Sequence, residues 1–235
     1  PAQGLLQLLK KTVFAVGEKD TRYVLNGLLM TLIPSGATVT LRLVGTDGHR
    51  LAWAEQEMTP DKSAIPPAEI KVIIPKKAAI EIRHLLEEDD EQPFLGFTKN
   101  MLIFRKSGLV LTSRIMEGSY PNYQQVVPKE SSKKVIVNKS DLEGALRRVA
   151  ILSKDKAHAV KLAINPDHIH LSSKSPAKFG GESFATGFNA RYFLDVLSVV
   201  ETESLTLQME TPLSPCLIQE QGNPTFKAVV MPVKV

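Results

Sequence analysis

Hydrophobic and polar positions alternate along this chain with two periods, one helical and one extended. From Gln3 to Val16 the residues Leu5, Leu8, Leu9, Thr12, Val13 and Val16 recur at helical spacing, with Gln7, Lys10 and Lys11 opposite, which predicts an amphipathic helix. Tyr23 to Met30 and Val39 to Leu43 read as strands, separated by a turn at Pro34-Ser35-Gly36. A polar turn, Thr46-Asp47-Gly48-His49-Arg50, then leads into a further strand from Leu51 to Ala54. After a Pro-rich loop, Lys71 to Ile74 is a strand and Pro75 opens a second helix with Ala79, Ile82 and Leu86 on its buried face. The acidic run Glu87 to Glu91 ends that helix as a solvated tip. Strands at Phe94 to Phe97, Met101 to Arg105 and Leu109 to Ile115 follow, the last two joined by Lys106-Ser107-Gly108.

From about Lys129 the plan begins again. Ser140 and Glu143 have the spacing of a capping box, and Leu142, Ala145, Leu146, Val149 and Ala150 follow on one face with Arg147 and Arg148 opposite. Leu9-Lys10-Lys11 answers Leu146-Arg147-Arg148, and Gly17 to Asp20 answers Lys154-Asp155-Lys156. Lys77 to Glu81 answers Arg191 to Asp195, and Leu205, Leu207 and Met209 alternate with polar residues in a closing strand. The pattern is an internal repeat with two helices and about eight strands per copy, the second shortened by roughly two dozen residues before its second helix. The expected fold class is α+β, with domains at 1–128 and 129–235 and two helices packed on antiparallel sheets in each.

Composition narrows the function classes. With 235 residues, 43% hydrophobic and 23% charged, the chain has the composition of a globular protein of one large or two ordinary domains. A single cysteine, Cys216, excludes an internal disulfide framework and points to a reducing cytoplasm. No apolar run approaches the roughly 18 residues that a bilayer requires. The start at Pro1, without signal peptide or initiator Met, suggests a fragment. The net charge of +4 conceals a denser basic surface, because five of the 25 acidic residues sit in the single run from Glu87 to Glu91.

Two constellations carry candidate chemistry. Asp47, His49 and Arg50 could hold a phosphate, a metal or a proton in transit, or form a plain hairpin turn. Asp167-His168-Ile169-His170 would place two His on one strand face, but it lacks a third ligand. Neither is joined by a phosphate-binding glycine loop, a nucleophile elbow or a carboxylate pair, so no catalytic set, metal or cofactor is expected. The basic residues recur at equivalent repeat positions: Lys10, Lys11, Lys76 and Lys77 in one copy, Arg147, Arg148 and Arg191 in the other. Without aromatic platforms or a helix-turn-helix pattern, such a face suits phosphate contact without base reading. A charge of +4 is too small for tight independent binding, so retention on duplex DNA would come from encirclement.

Four segments carry a family resemblance: Asp20 to Gly27, Thr46 to Ala52, Tyr120-Pro-Asn-Tyr123, and Val229-Val-Met-Pro232. Together with the repeat they resemble the bacterial DNA polymerase III β sliding clamps over the whole chain. Members of that family have three such domains per subunit and close a ring from two subunits. The resemblance here covers the middle and C-terminal domains, the N-terminal one being absent. It implies a processivity factor that encircles double-stranded DNA and tethers the polymerase III catalytic subunit, the clamp loader, other polymerases and mismatch-repair proteins through an interdomain peptide-binding pocket. It implies that Leu25, Thr46, Gly48, His49, Arg50, Leu51, Pro121, Gln125 and Val126 belong to that pocket. Tyr192, Leu213, Pro215, Val229, Val230, Met231, Pro232, Val233, Lys234 and Val235 complete it. Gln125 and Pro215 depart from the family pattern, which has Arg and a small hydroxyl residue there. Lys19, Tyr23, Lys76 and Lys77 resemble the DNA-facing surface, and Ile151 and Leu152 the place where the partner subunit is met. The other reading is a peptide-binding adaptor of the same fold that never encircles DNA.

Overall fold

The structure, a computed structural model, describes residues 2–88, 91–128, 133–153, 158–165, 168–173 and 184–233. It divides into two compact units, Pro1–Asn122 and Tyr123–Val235. The division therefore falls six residues before the boundary expected after Pro128, because the 3-10 turn Tyr123–Gln125 goes with the second unit.

The first unit opens with α1 (Ala2–Thr12), whose Leu5, Leu8, Leu9 and Thr12 are buried as the periodicity requires, and a 3-10 turn (Val13–Ala15) extends it. Strands β1 (Gly27–Ser35), β2 (Thr38–Thr46), β3 (Arg50–Met58) and β4 (Ile70–Pro75) form an antiparallel sheet in the order β4-β1-β2-β3. Helix α1 packs on β3 and on α2 (Lys76–Glu88), so two sides of it are covered. Its polar stripe narrows to Gln3, Gln7 and Lys10, and Lys11, expected to face solvent, is buried with only 7% of its surface exposed. A second sheet, β5-β6-β7, comprises Phe94–Phe97, Met101–Lys106 and Leu109–Arg114. Its Ser107-Gly108 turn has both φ values positive (50° and 76°), the geometry a two-residue hairpin needs. An isolated bridge from Ile73 to Met116 joins the β4 region to the chain after β7.

Three local expectations change. Tyr23–Asn26 is a 3-10 turn, and the strand starts only at Gly27. The β1–β2 hairpin turns at Gly36 and Ala37, since Pro34 pairs with Val39 and Ser35 with Thr38. Pro75 is the last residue of β4, with the helix beginning at Lys76.

The second unit contains β8 (Lys134–Asn138), α3 (Lys139–Leu152), β9 (Ala159–Ile164), β10 (Ile169–Ser172), β11 (Phe184–Asn189) and α4 (Ala190–Val199). Strands β12 (Ser204–Gln208), β13 (Cys216–Glu220), β14 (Phe226–Val230) and β15 (Pro232–Val233) complete it. Its sheets run β14-β13-β12-β8 and β10-β9-β11-β15, all pairs antiparallel. Helices α3 and α4 pack together, and Leu142, Leu146, Phe193, Val196, Leu205, Leu207 and Phe226 are buried around them. The rings of Phe188 and Phe193 meet at 5.1 Å in a tilted pair, and each buried aromatic stabilises the unit by roughly 1.5–3 kcal/mol. The capping-box expectation at Ser140 is replaced. Asn138 is the N-cap, accepting from the Asp141 backbone N–H at 3.1 Å, while Glu143 accepts from Arg147 one turn on.

The repeat is visible in topology. The order β4-β1-β2 is matched by β11-β9-β10, and β5-β6-β7 by β12-β13-β14, with α1 and α2 answering α3 and α4. Strand β3 has no counterpart among the described residues of the second unit, and the pairing of Gly17–Asp20 with Lys154–Lys156 lies outside them.

Candidate functional site

The turn between β2 and β3 is closed by its own side chains. Asp47 Oδ1 accepts from the backbone N–H groups of His49 and Arg50, both at 2.9 Å, and Asp47 Oδ2 accepts from Arg50 Nε at 3.0 Å. The Thr46 hydroxyl donates to the Arg50 carbonyl at 2.6 Å and accepts from the Gly48 amide at 3.1 Å. These bonds use Asp and Thr as turn formers, the role their short polar side chains suit. Gly48 has φ +83°, a backbone that L side chains rarely adopt. The Arg50 guanidinium also lies over the Phe14 ring, 5.6 Å from its centroid. Asp47 and Arg50 are thus spent on each other and on the backbone, which leaves the exposed Gly48 and His49 as the surface of the turn.

A second loop braces this one. Arg22 donates from Nε and Nη2 to the two carboxylate oxygens of Asp20, at 3.1 and 2.9 Å, and from Nη2 to the Asp47 carbonyl at 3.2 Å. The guanidinium holds the Asp20 carboxyl below its ordinary pKa, chiefly through the side-chain hydrogen bond. Arg22 and Asp20 belong to the site, yet nothing in the sequence connects them to a turn 25 residues away except the shared Asp20–Gly27 segment. Tyr120 is equally hidden in the sequence: its hydroxyl donates to the Val44 carbonyl at 3.3 Å, near the end of β2.

The remaining residues expected to bind peptide divide by burial. In the first unit Pro121 is exposed at its end and Thr46 is nearly buried, while Gln125 and Val126 are exposed at the start of the second. In the second unit Leu213 is 77% exposed, and Tyr192, Pro215, Met231, Pro232 and Val233 are half-buried. Leu25, Leu51, Val229 and Val230 are core residues, at most 2% exposed, so they support a surface and do not form it. In β14 the adjacent Val229 and Val230 point to opposite faces and both are covered. Lys234 and Val235 lie outside the described residues.

The basic residues are less uniform than their sequence positions suggest. Lys76 is held by the Val16 carbonyl at 3.0 Å and the Glu18 carboxylate at 2.7 Å, and its side chain is only 19% exposed. Lys10 pairs with Glu87 at 3.1 Å, and Arg147 with Glu143. Lys19, Tyr23, Lys77, Arg148 and Arg191 are exposed. Lys19 and Lys77 border a hollow of about 630 Å³ in the first unit, with Ile80 and Met116 also in its lining. Ile151 and Leu152, at the end of α3, are 77% and 66% exposed, so the simple core role is excluded for them.

Of the candidate metal ligands, His168 and His170 are both exposed, and Asp167 is outside the described residues. Among the described residues no three His, Cys, Asp or Glu side chains gather. Cys216 is fully buried, and burial pushes its thiol far above the ordinary range, so it is a packing residue. No helix among the described residues is long and apolar enough to cross a membrane.

Residues 1–122 match the profile of the DNA polymerase III beta subunit central domain, and residues 124–234 that of its C-terminal domain. A beta sliding clamp from Caulobacter vibrioides is 34% identical over 241 residues, covering 98% of this chain and 64% of that protein. A crystal structure of the Caulobacter crescentus beta sliding clamp superposes with a TM-score of 0.87 at 34% identity, over 100% of this chain and 64% of the other. A Pseudomonas aeruginosa sliding clamp bound to griselimycin gives 0.84 at 31% identity, over 100% and 64%. The chain therefore spans about two thirds of the length of these relatives. Its two α+β units have the clamp fold, and with both of its halves matched to consecutive domains of one subunit, the chain belongs to the bacterial DNA polymerase III β sliding clamp family.

Proposed function

We propose that this chain works as part of a processivity clamp, which holds its partners on duplex DNA by topology and docking and performs no chemistry. The observation that carries this reading is the end-to-end match to two consecutive clamp domains. The partners proposed are the polymerase III catalytic subunit, the clamp loader, other polymerases and mismatch-repair proteins, met in the cytoplasm, with a homodimeric ring as the working assembly. Short motifs of these partners dock on residues supplied by both units. His49 and Pro121 serve from the first, and Gln125, Val126, Tyr192, Leu213, Pro215, Met231 and Pro232 from the second. Half-buried apolar groups and a pliable Met suit the Leu and Phe side chains of varied extended peptides. Tethering then raises each partner's effective concentration at the template. Ile151 and Leu152, apolar and exposed on α3, are proposed to meet the partner subunit.

The test is fluorescence anisotropy with a labelled Gln-x-x-Leu-Phe peptide. Binding should weaken about tenfold or more in the double variant His49→Ala, Met231→Ala. Unchanged affinity would count against these residues.

A second reading has support of its own: Lys11 is buried, and Lys10, Lys76 and Arg147 are paired with acids, which thins the basic face. A peptide-binding adaptor of the same fold would need no such face. Retention on nicked circular DNA, with release on linearisation, distinguishes the clamp from the adaptor.

A further inference from the structure

Arg22 occupies an unusual position in the first unit, because its single side chain joins two loops that are each already closed by their own bonds. The Thr46–Arg50 turn is shut by Thr46 and Asp47, as described above. The 17–26 loop is shut by Gly17 N–H donating to the Leu25 carbonyl at 2.9 Å. Reciprocal bonds between Asp20 and Asn26, at 2.8 and 2.9 Å, close it further. Leu25 is 1% exposed, so this loop is anchored in the core. Asp20 holds the Arg22 backbone N–H at 2.8 Å as well as its guanidinium, which fixes the side chain to the anchored loop. From there Nη2 reaches the Asp47 carbonyl, and the guanidinium lies so close to Gly48 that a Cβ there would be 2.6 Å from Nη2 and 2.9 Å from Nη1.

We infer that Arg22 is a positioning residue for the docking turn, setting the orientation of the Asp47-Gly48-His49 backbone through a bidentate anchor on Asp20. The inference rests on the docking role proposed for His49. Closure of the turn does not need Arg22. What Arg22 adds is the orientation of the turn relative to the core-anchored loop, since its bond enters from outside the turn. Nor does it act through bulk stability: its side chain is 58% exposed, and exposed ion pairs contribute little to folding. The geometry requires a planar fork. Nε and Nη2 engage one carboxylate edge while the second Nη2 proton points to a carbonyl, an arrangement that a Lys ammonium on a flexible stem does not reproduce. Gly48 is needed on the same account, because any side chain would displace the guanidinium from the turn.

The experiment titrates the whole chain with the Gln-x-x-Leu-Phe peptide and records amide spectra of the free protein. Arg22→Met should weaken the peptide roughly three- to tenfold while moving the thermal midpoint by no more than about 2 °C. Asp20→Asn should do the same, and the double variant should bind no worse than either single one, because the two residues act as one brace. Arg22→Lys should not restore binding. In the free chain the Gly48 and His49 amides should shift and exchange faster in Arg22→Met. Full recovery in Arg22→Lys would overturn the inference by reducing it to charge, and additive losses or unmoved Gly48 and His49 amides would overturn it too. If the unaltered chain fails to bind the peptide, the docking role of the turn falls, and the amide signals alone then decide whether Arg22 positions it.

Discussion

Lys76 carries its charge on the first residue of α2, where the helix N-terminus is itself partially positive, so its ammonium gains most from an anion close by. Glu18 supplies it at 2.7 Å, and the Val16 carbonyl takes a second proton at 3.0 Å. The Glu18 carboxyl is consequently held below its ordinary value, first by the Lys76 hydrogen bond and then by the Lys76 charge, against a smaller opposing effect of burial. A depressed carboxylate pKa stabilises the fold above the unfolded value near 4.5, and that contribution fades as pH falls through the folded value. Glu18 is exposed, so the effect on stability is small, and the titration itself is the better measure. In Lys76→Met the Glu18 carboxyl resonance should titrate at a higher pH than in the native chain. An unmoved midpoint would mean that the pair seen here does not persist in solution. The same pairing makes Lys76, a lysine expected to face DNA, also a brace between α2 and the loop after α1.

At the scale of elements, helix α3 shows how a nearly right boundary can hide a wrong mechanism. The Ser140 and Glu143 spacing predicts a helix start two residues late: both residues already lie inside the helix, and Asn138 does the capping. Asn138→Ala should therefore cost about 1 kcal/mol of stability, within the range known for cap removal, whereas Ser140→Ala should change it by less than about 0.5 kcal/mol. Chemical denaturation of the two variants checks this, and the reverse ranking would restore the capping box. The elements themselves are largely legible in the sequence, because their signals are local: Leu5, Leu8 and Leu9 at helical spacing, Leu205 and Leu207 at strand spacing, Ser107-Gly108 in a hairpin. Lys11 falls on the wrong face in that reading because a single helix's periodicity records one buried face, while α1 is covered by both β3 and α2. The turn at Thr46–Arg50 is legible as a unit because Thr, Asp and Gly close it within five residues. Its brace is not, because the Arg22 to Asp47 bond depends on two loops meeting across 25 residues of chain. Tyr23–Asn26 has the apolar content of a strand, but Asn26 is committed to Asp20 and the local backbone coils to allow it.

Over the whole molecule, a net charge of +4 is modest, and the distribution of its partners matters more than its size. Lys10, Lys76 and Arg147 each face a carboxylate, and Lys11 is buried. Lys19, Lys77, Arg148 and Arg191 are exposed and stand outside these ion pairs, two in each unit, although Lys19 also feels the neighbouring Glu18 charge. Lys77 and Arg191 are moreover equivalent, each the second residue of its unit's second helix. A phosphate approaching these four displaces no internal ion pair, so they should carry most of whatever DNA affinity the chain has. Direct association with duplex should then be weak, indifferent to sequence and steeply reduced by salt, since counterion release is its main driving force. Lys77→Ala with Arg191→Ala should lower the slope of log affinity against log salt by up to about 2, close to one for each phosphate that is no longer neutralised. Lys10→Ala with Arg147→Ala should change it far less, because each of those cations already has an anion. Equal effects from the two pairs, measured by anisotropy across a salt series, would show that the internal ion pairs open freely on DNA and that sequence position is the better guide to which cations act.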